Sequence, residues 1–357
     1  MPSRELTIKD IHGSDPLGRF AVNRLQLKPV VMALFFIVSG ILYAAVLPRL
    51  WGYPLEIDGV NLINIILVFP AAGYFYVQQP KSILRTYNSV LRYLRGEDQT
   101  YLFHLDKIAA THAGKIWWII GGLFGVLGAG LGVSYSVQYF GEYWYSANWF
   151  EILFVQFIRF LAFYCIGVST CRHIAASLVL NSLFERADLP LTLDSDRLEV
   201  FRSIKNFALE FVGVGAIIAL NLGLQPLFIN PPILEYSIYV TLYFIVAPAS
   251  FFLPLWEAQK RMSRIKNIML DKLHYDFQEE SQRLYNKLGK SDSLAAYTKE
   301  AASLAQLEKT IQSVSHARDW PFQGTTVYRL TATLVSPFLL ILFEIFINIV
   351  SNLIVAN

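Results

Sequence analysis

The stretch LTATLVSPFLLILFEIFINIVSNL, residues 330–353, decides the fold, because it is long and apolar enough to cross a lipid bilayer. A helix needs ~20 apolar residues to span the hydrocarbon layer. Polar side chains recur in this stretch at multiples of four positions, which places them on one face of a helix. The face is formed by Ser336, Leu340, Glu344, Asn348 and Asn352. Because lipid offers polar groups no partners, we expect this face to meet protein or water.

The segment before this helix is charged and has the pattern of two amphipathic helices. Apolar residues recur at helical spacing over residues 262–288, and close to a heptad repeat over residues 294–314. Gly289 ends the first run, and Ser291-Asp292-Ser293 caps the second. The pattern predicts a helical hairpin with a short polar turn, followed by a break at Trp320-Pro321-Phe322.

The composition of the whole chain is that of a membrane protein. Of its 357 residues 54% are hydrophobic and 16% are charged, and the mean hydropathy is +0.42. A soluble protein of this size carries ~25% charged residues. The apolar residues fall into seven blocks of the length that a membrane span requires. The predicted spans are Pro29–Leu47, Val60–Val77, Ile116–Tyr139, Phe150–Cys171, Phe207–Phe228, Ile233–Leu253 and Leu330–Leu353.

The distribution of Lys and Arg predicts the orientation of these spans. All but two of the 30 Lys and Arg residues fall in the N-terminal segment and in the connections after spans two, four and six. Because such residues accumulate on the cytosolic side, we expect a cytosolic N-terminus and an outside C-terminus. We expect no signal peptide, since residues 1–28 are polar and charged. The acidic residues on the outer side are Glu56, Asp58, Glu142, Glu151 and Glu235.

Several helices extend beyond the bilayer. The pattern of span four continues to about Arg186, which gives roughly 36 residues or ~54 Å, against a hydrocarbon layer of ~30 Å. Span five begins early, at about Arg197, and span six runs on into the hairpin. Residues 80–114 either join the resulting cytosolic bundle or form an amphipathic helix on the inner leaflet.

We therefore predict an all-α integral membrane protein with seven transmembrane helices. A cytosolic helical bundle is built from extensions of spans four, five and six and from the start of span seven. We expect the bundle to hold copies of the chain together. Three regions follow: residues 1–255 with six spans, residues 256–322 as the oligomerisation hairpin, and residues 323–357 with the last span.

Glycines and cysteines in the spans have structural interpretations. Four glycines of span three share one face, and we interpret this face as a packing surface, with a hinge as the alternative. Cys165 and Cys171 point to different sides of one helix, so we expect two free thiols. The four glycines are Gly121, Gly125, Gly128 and Gly132.

Three ionisable residues fall inside predicted spans. Glu210 lies near the inner end of its span and can reach the interface. Arg159 and Glu344 both lie roughly 13–15 Å below the outer surface, and a charge in lipid costs ~3 kcal/mol or more. Either the two residues form an ion pair that fixes span four against span seven, or Glu344 faces a central water path. In the second case Asn348 and Asn352 lie above it as rings that suit cations.

Sequence motifs of soluble enzymes are missing. The chain has no phosphate-binding Gly-rich loop, GxSxG, HExxH or CxxC motif, and its six histidines do not form a ligand set. We therefore expect no catalysis and no metal or other cofactor. The many aromatic residues of the outer loops form interfacial belts or, alternatively, an outer pocket for a small apolar ligand.

The layout resembles that of the insect odorant and gustatory receptor channels and their gustatory-receptor-like relatives. The resemblance covers topology and helix lengths along the whole chain. It implies a tetramer whose extended spans four to six anchor the subunits and whose last helix lines the pore. The family's signature in span seven has no counterpart in Val327-Tyr328-Arg329 or Glu344-Ile345-Phe346. No residue roles are therefore carried over.

The functional hypothesis is a homo-oligomeric cation channel gated by a ligand, with a tetramer favoured. It lies in the lipid bilayer of the plasma (inner) membrane and binds no nucleic acid. The alternatives are a membrane signalling or scaffold protein that docks partners on the cytosolic bundle, and a secondary transporter. A transporter requires internal repeats and broken helices, and the odd number of spans and the missing repeat speak against it.

Overall fold

The computed structural model describes residues 6–53, 62–92, 98–138, 140–141, 146, 148–185, 199–228, 233–288 and 294–316, together with residues 328, 331, 332, 335 and 339. Within these ranges the regular secondary structure is helical and contains no strand. The helices are α1 (Ile8–His12), α2 (Pro16–Gly18), α3 (Pro29–Ile41), α4 (Leu47–Leu50), α5 (Phe69–Leu91), α6 (Asp98–Ala113), α7 (Ile116–Gln138), α8 (Trp149–Phe184), α9 (Glu199–Phe228), α10 (Ile233–Phe252), α11 (Trp256–Leu288) and α12 (Leu294–Ser315). Short π-helical turns precede or follow several of them, at Arg19–Arg24, Leu42–Val46 and Asn64–Val68.

Five helical runs in the described part of the chain are long and apolar enough to cross a membrane. The protein is therefore an all-α integral membrane protein. The five runs coincide with predicted spans one, three, four, five and six. Predicted span two, which becomes the start of α5, is not among them, and the last span is described only at residues 331, 332, 335 and 339. The runs are Pro29–Leu50, His104–Gln138, Trp149–Phe184, Val200–Leu224 and Val240–Asn286.

The predicted helix extensions are present. α8 has 36 residues, as its sequence pattern predicts, and its N-terminus is capped by Asn148, whose side chain accepts from the Glu151 N–H at 3.0 Å. α11 ends at Leu288 and α12 begins at Leu294, as the sequence predicts, and residues 289–293 between them lie outside the described residues. These bounds follow from local pattern alone, because Gly and capping residues end and begin helices irrespective of what they pack against.

Two buried clusters hold the helices together. The first joins α3, α5 and α8 around Phe36, Tyr76 and Ile158, which are 0–2% exposed. The second joins the parts of α5, α8 and α9 that extend beyond the predicted spans, and it also contains α6 and the start of α11. It includes Ile83, Tyr87, Leu91, Leu105, Ile108, Leu180, Phe184, Ile204 and Leu255. The described residues of the segment 80–114 therefore pack in the bundle, which favours that alternative over a helix on the leaflet.

The glycine face of α7 packs against α8. A Cβ atom added to Gly125 would lie 2.7 Å from a ring carbon of Phe160, and one added to Gly128 would lie 2.5 Å from Phe163. Contacts of real Cβ atoms are longer than these distances, so a side chain at Gly125 or Gly128 would force the neighbouring ring to move. Gly122, which is off this face, has no such neighbour within 4 Å. The packing interpretation is confirmed.

Candidate functional site

The predicted pore face lies outside the described residues. This holds for Ser336, Leu340, Glu344, Asn348 and Asn352 alike, so the pore stays a prediction. The same is true of the ion pair between Arg159 and Glu344, since only its cationic partner is described.

Arg159 lies at the contact between α7 and α8. Its guanidinium carbon is 5.7 Å from the centroid of the Phe163 ring. A Cβ atom added to Gly132 would lie 2.9 Å from its Nη1 atom. One turn away, the Gln156 side chain donates to the Ser136 hydroxyl at 3.4 Å. Polar groups of two apolar helices thus meet each other, which is the arrangement expected of charged residues in a membrane.

A second polar cluster, which sequence reasoning missed, ties the segment before the first span to α5 and α8. We call it the Asp15 cluster, and it consists of His12, Asp15, Tyr76, Tyr164 and Arg172. Asp15 is 4% exposed and Arg172 is 2% exposed, so the charges of both are buried. A buried charge requires a partner and hydrogen bonds to every available atom.

The Asp15 carboxylate accepts three hydrogen bonds in this cluster. The Tyr164 hydroxyl donates to Oδ1 at 2.6 Å. The Tyr76 hydroxyl and the Arg172 guanidinium both donate to Oδ2. Arg172 also donates to the backbone carbonyl of Tyr76 at 3.3 Å, and its guanidinium carbon lies 4.8 Å from the centroid of the Tyr76 ring. The opposite charges of Asp15 and Arg172 therefore stabilise each other, and the hydrogen bonds described above stabilise both groups further.

His12 completes the cluster as a neutral side chain. Its Nδ1 atom lies 3.1 Å from an Arg172 nitrogen. Because a guanidinium only donates, Nδ1 accepts, and the ring proton is on Nε2. Burial, and after it the charge of Arg172, lowers the pKa of His12 from 6.5 to about 3, although Asp15 acts in the opposite direction. Nε2 is buried and has no hydrogen-bond partner in the described part of the chain.

The position of Arg172 corrects the sequence analysis, which counts this residue among the cations of the connection after span four. The side chain lies inside the bundle, because α8 continues to Phe184 and other helices surround its extension. Asp15 is 157 positions away in the sequence. A local pattern cannot reveal such a pair, and the only visible signal is an acidic residue before Pro16, which suits a helix start.

The junction between α10 and α11 is a further polar contact of α8. The residues Leu253–Leu255, which we call the joint, form a 3₁₀ turn between the two helices. Pro254 has no N–H, so the Ser250 carbonyl lacks its helical donor. The His173 Nε2 atom lies 2.7 Å from that carbonyl oxygen and replaces the missing donor. The imidazole stacks on Phe207 and Phe211 of α9, at centroid distances of 4.3 Å and 4.2 Å.

Asn181 fixes the other side of the joint, two turns further along α8. Its side-chain amide donates to the Leu253 carbonyl at 2.8 Å, and its carbonyl oxygen accepts from the Glu257 backbone N–H at 3.4 Å. One side chain thus bridges the first carbonyl of the joint and an N–H in the first turn of α11. α8 therefore determines the direction in which α11 leaves the membrane-spanning bundle.

Two carboxylates differ from their predicted surroundings. Glu151, predicted on the acidic outer side, is 2% exposed, and neither of its side-chain oxygens has a hydrogen-bond partner among the residues that the structure describes. It therefore does not contribute an exposed charge. Glu210 is half-buried in α9, and within the same described residues its Oε2 atom has no partner either.

Comparison of the chain with protein-family models, with curated proteins and with solved structures gives no match. The likeness to the insect receptor channels therefore remains one of layout. The conclusions about function depend on the residues described above.

Proposed function

We propose that the protein is a homo-oligomeric ion channel that conducts cations and is gated by a ligand, with a pore lined by its last helix. The observation that carries the proposal is the incompletely covered hairpin of α11 and α12. Among the hairpin residues whose side chains are described, Ala258 and Val314 are buried. The apolar positions Leu304, Leu307 and Ile311 are half-buried in a single chain.

The hairpin also exposes large apolar side chains on α11. Ile268 is 59% exposed and Tyr275 is 66% exposed, and their spacing of seven residues places them on one face. Apolar area in water costs about 25 cal/mol per Å², and exposed apolar surface of this kind marks an interaction site. A second copy of the chain offers the same face, as symmetric assembly requires.

The link from assembly to conduction is the position of the hairpin in the chain. It directly precedes the last predicted span, so subunits that meet through the hairpin bring their last helices toward a common axis. The polar face from Ser336 to Asn352 then meets its copies instead of lipid. Rings of Glu344 carboxylates and of Asn348 amides favour cations over anions.

Conductance in planar bilayers tests the pore. We expect Glu344→Gln to lower cation selectivity, and Asn348→Leu to lower the current, because both remove polar groups from the proposed path. Phe346→Leu is the matched control, since it lies about 200° around the helix from Glu344 at 100° per residue. Unchanged current and selectivity in both test variants contradict the pore assignment.

The mass of the purified protein in detergent tests the assembly separately. We expect an oligomer that Ile268→Gln shifts toward the monomer, whereas the same substitution at its exposed polar neighbour, Asn267→Gln, leaves it unchanged. A monomeric wild-type protein contradicts the channel. It favours the alternative role of the exposed hairpin, a signalling or scaffold surface that binds other proteins.

A further inference from the structure

The donors that hold Asp15 belong to a rigid pair of helices. Tyr76 lies on α5, whereas Tyr164 and Arg172 lie on α8, and the two helices pack directly against each other. Two hydroxyls and a guanidinium converge on one planar anion with two oxygens. Arginine is the side chain best suited to that shape, because its donors form a fixed planar fork.

The acceptor belongs to a different and much less regular part of the chain. Asp15 lies between α1, which has five residues, and α2, which has three. Gly13 adopts a left-handed φ of 51° next to the backbone of His112. Besides Asp15, the segment buries the side chains of Leu6, Ile11, His12 and Ala21. The donors are thus preorganised independently of the acceptor.

The cluster also contains a donor without an acceptor. Among the described residues the Nε2–H group of His12 has no partner, and it belongs to a buried side chain that is 1% exposed. An unpaired buried donor is unfavourable. Closure of the N-terminal segment on α5 and α8 therefore carries a cost that release of the segment removes.

We infer that Arg172, Tyr76 and Tyr164 form a binding site for a small organic carboxylate, which Asp15 occupies as a tethered ligand. A free carboxylate that takes its place releases the N-terminal segment from α5 and α8. A group on a short flexible tether has an effective concentration in the millimolar range. The wild-type site is therefore closed to dilute carboxylates and open to concentrated ones. This inference is independent of ion conduction.

Chemical rescue of Asp15→Ala tests the site, because this variant removes the volume of one carboxylate group and formate restores it. We expect the thermal midpoint of the full-length protein in detergent to fall by at least about 5 °C, since a buried charge loses its partner. Formate should restore at least half of this loss at neutral pH. Formamide, which is neutral and of similar size, and chloride should restore none of it.

Asp15→Asn is the second variant, because its amide keeps the shape of the side chain and fills the site. We expect it to be destabilised but insensitive to formate. Formate and formamide acting alike on Asp15→Ala, or an Asp15→Ala variant as stable as the wild type, overturns the inference.

A labelling experiment on the protein with Asp15 intact covers the case in which Asp15→Ala does not fold. In Ser14→Cys, formate at roughly 100 mM exceeds the effective concentration of the tether. We expect it to raise the rate of maleimide labelling at residue 14 several-fold over formamide at the same concentration. Equal rates in the two solutions show that Asp15 is not displaced and refute the tethered-ligand assignment.

Discussion

Gly121 and Gly122 provide a direct test of how α7 packs on α8, because they are adjacent residues on different faces of the same helix. A Cβ atom added to Gly121 would collide with a methyl group of Val168 and lie 3.2 Å from its backbone nitrogen. The same atom added to Gly122 would meet no neighbour within 4 Å among the described residues. The two Gly→Ala variants therefore make the same chemical change in opposite surroundings.

The expected difference in stability follows from two opposing terms. Replacing a helical glycine by alanine gains up to about 1 kcal/mol in helix propensity. This gain is common to both variants and cancels in the comparison. Gly121→Ala also forces an extra methyl group into a packed contact, which costs about 1–3 kcal/mol. Relief is difficult, because Val168 is β-branched with a stiff χ1, and Gly167 packs against the same point of α7.

We therefore expect Gly121→Ala to be less stable than Gly122→Ala by about 1–3 kcal/mol. Gly122→Ala should be at least as stable as the wild type. Thermal unfolding in detergent, monitored by the loss of the helical circular dichroism signal, gives the unfolding midpoint of each variant. Adding Val168→Ala to Gly121→Ala should recover part of the loss, because it removes the colliding methyl group. Equal midpoints for the two glycine variants refute the packing of this face on α8.

Three further predictions concern the joint, the Asp15 cluster and the thiols. His173→Phe keeps the aromatic stack but removes the donor at the joint, so we expect the free energy of unfolding to fall by about 1–3 kcal/mol. Adding Pro254→Ala to this variant should restore part of the thermal midpoint, because alanine supplies the missing backbone N–H. Because the pKa of His12 is lowered from 6.5 to about 3 in the folded protein, protonation favours unfolding. Stability should therefore fall as the pH drops from 6.5 toward 3, by up to about 1.4 kcal/mol per pH unit. Denaturant titrations at several pH values measure this fall, which should be shallower in the variant His12→Gln. Cys165 and Cys171 are free and buried, so a maleimide polymer should label neither until the protein is unfolded, and rapid native labelling contradicts their placement.

The lengths and ends of the helices could be predicted from the sequence, because local features determine them. The 36-residue length of α8 follows from uninterrupted helical spacing. The end of α11 at Leu288 and the start of α12 at Leu294 follow from a glycine and a run of capping residues in the sequence. The packing of the glycine face could also be predicted, since four small residues on one face permit close approach of a neighbour. The free cysteines follow from their angular separation on one helix.

The polar contacts could not be predicted, because each joins residues that are far apart in the chain. Pro254 is visible in the sequence as a helix breaker, but nothing local indicates that His173 supplies the donor it lacks. Arg172 has the sequence context of a loop cation, since charge patterning reports the side of the membrane and not the degree of burial. Only the packing of the N-terminal segment against α5 and α8 makes it a buried partner of Asp15.

These contacts share one helix, which gives α8 a mechanical role in the proposed channel. Its Val168 packs on α7, its Arg172 holds the N-terminal segment, and its Asn181 holds the start of α11. A continuous hydrogen-bonded helix bends little over a few turns. Any movement of α8 at Arg172 therefore reaches the joint, and through α11 the hairpin by which we propose that subunits meet. Coupling of this kind requires that release of Asp15 and reorientation of the hairpin favour each other.

The Asp15→Ala variant should consequently change the oligomer distribution in the same direction as formate changes it in the wild type. Opposite or independent effects separate the carboxylate site from assembly and leave the N-terminal segment with a local role.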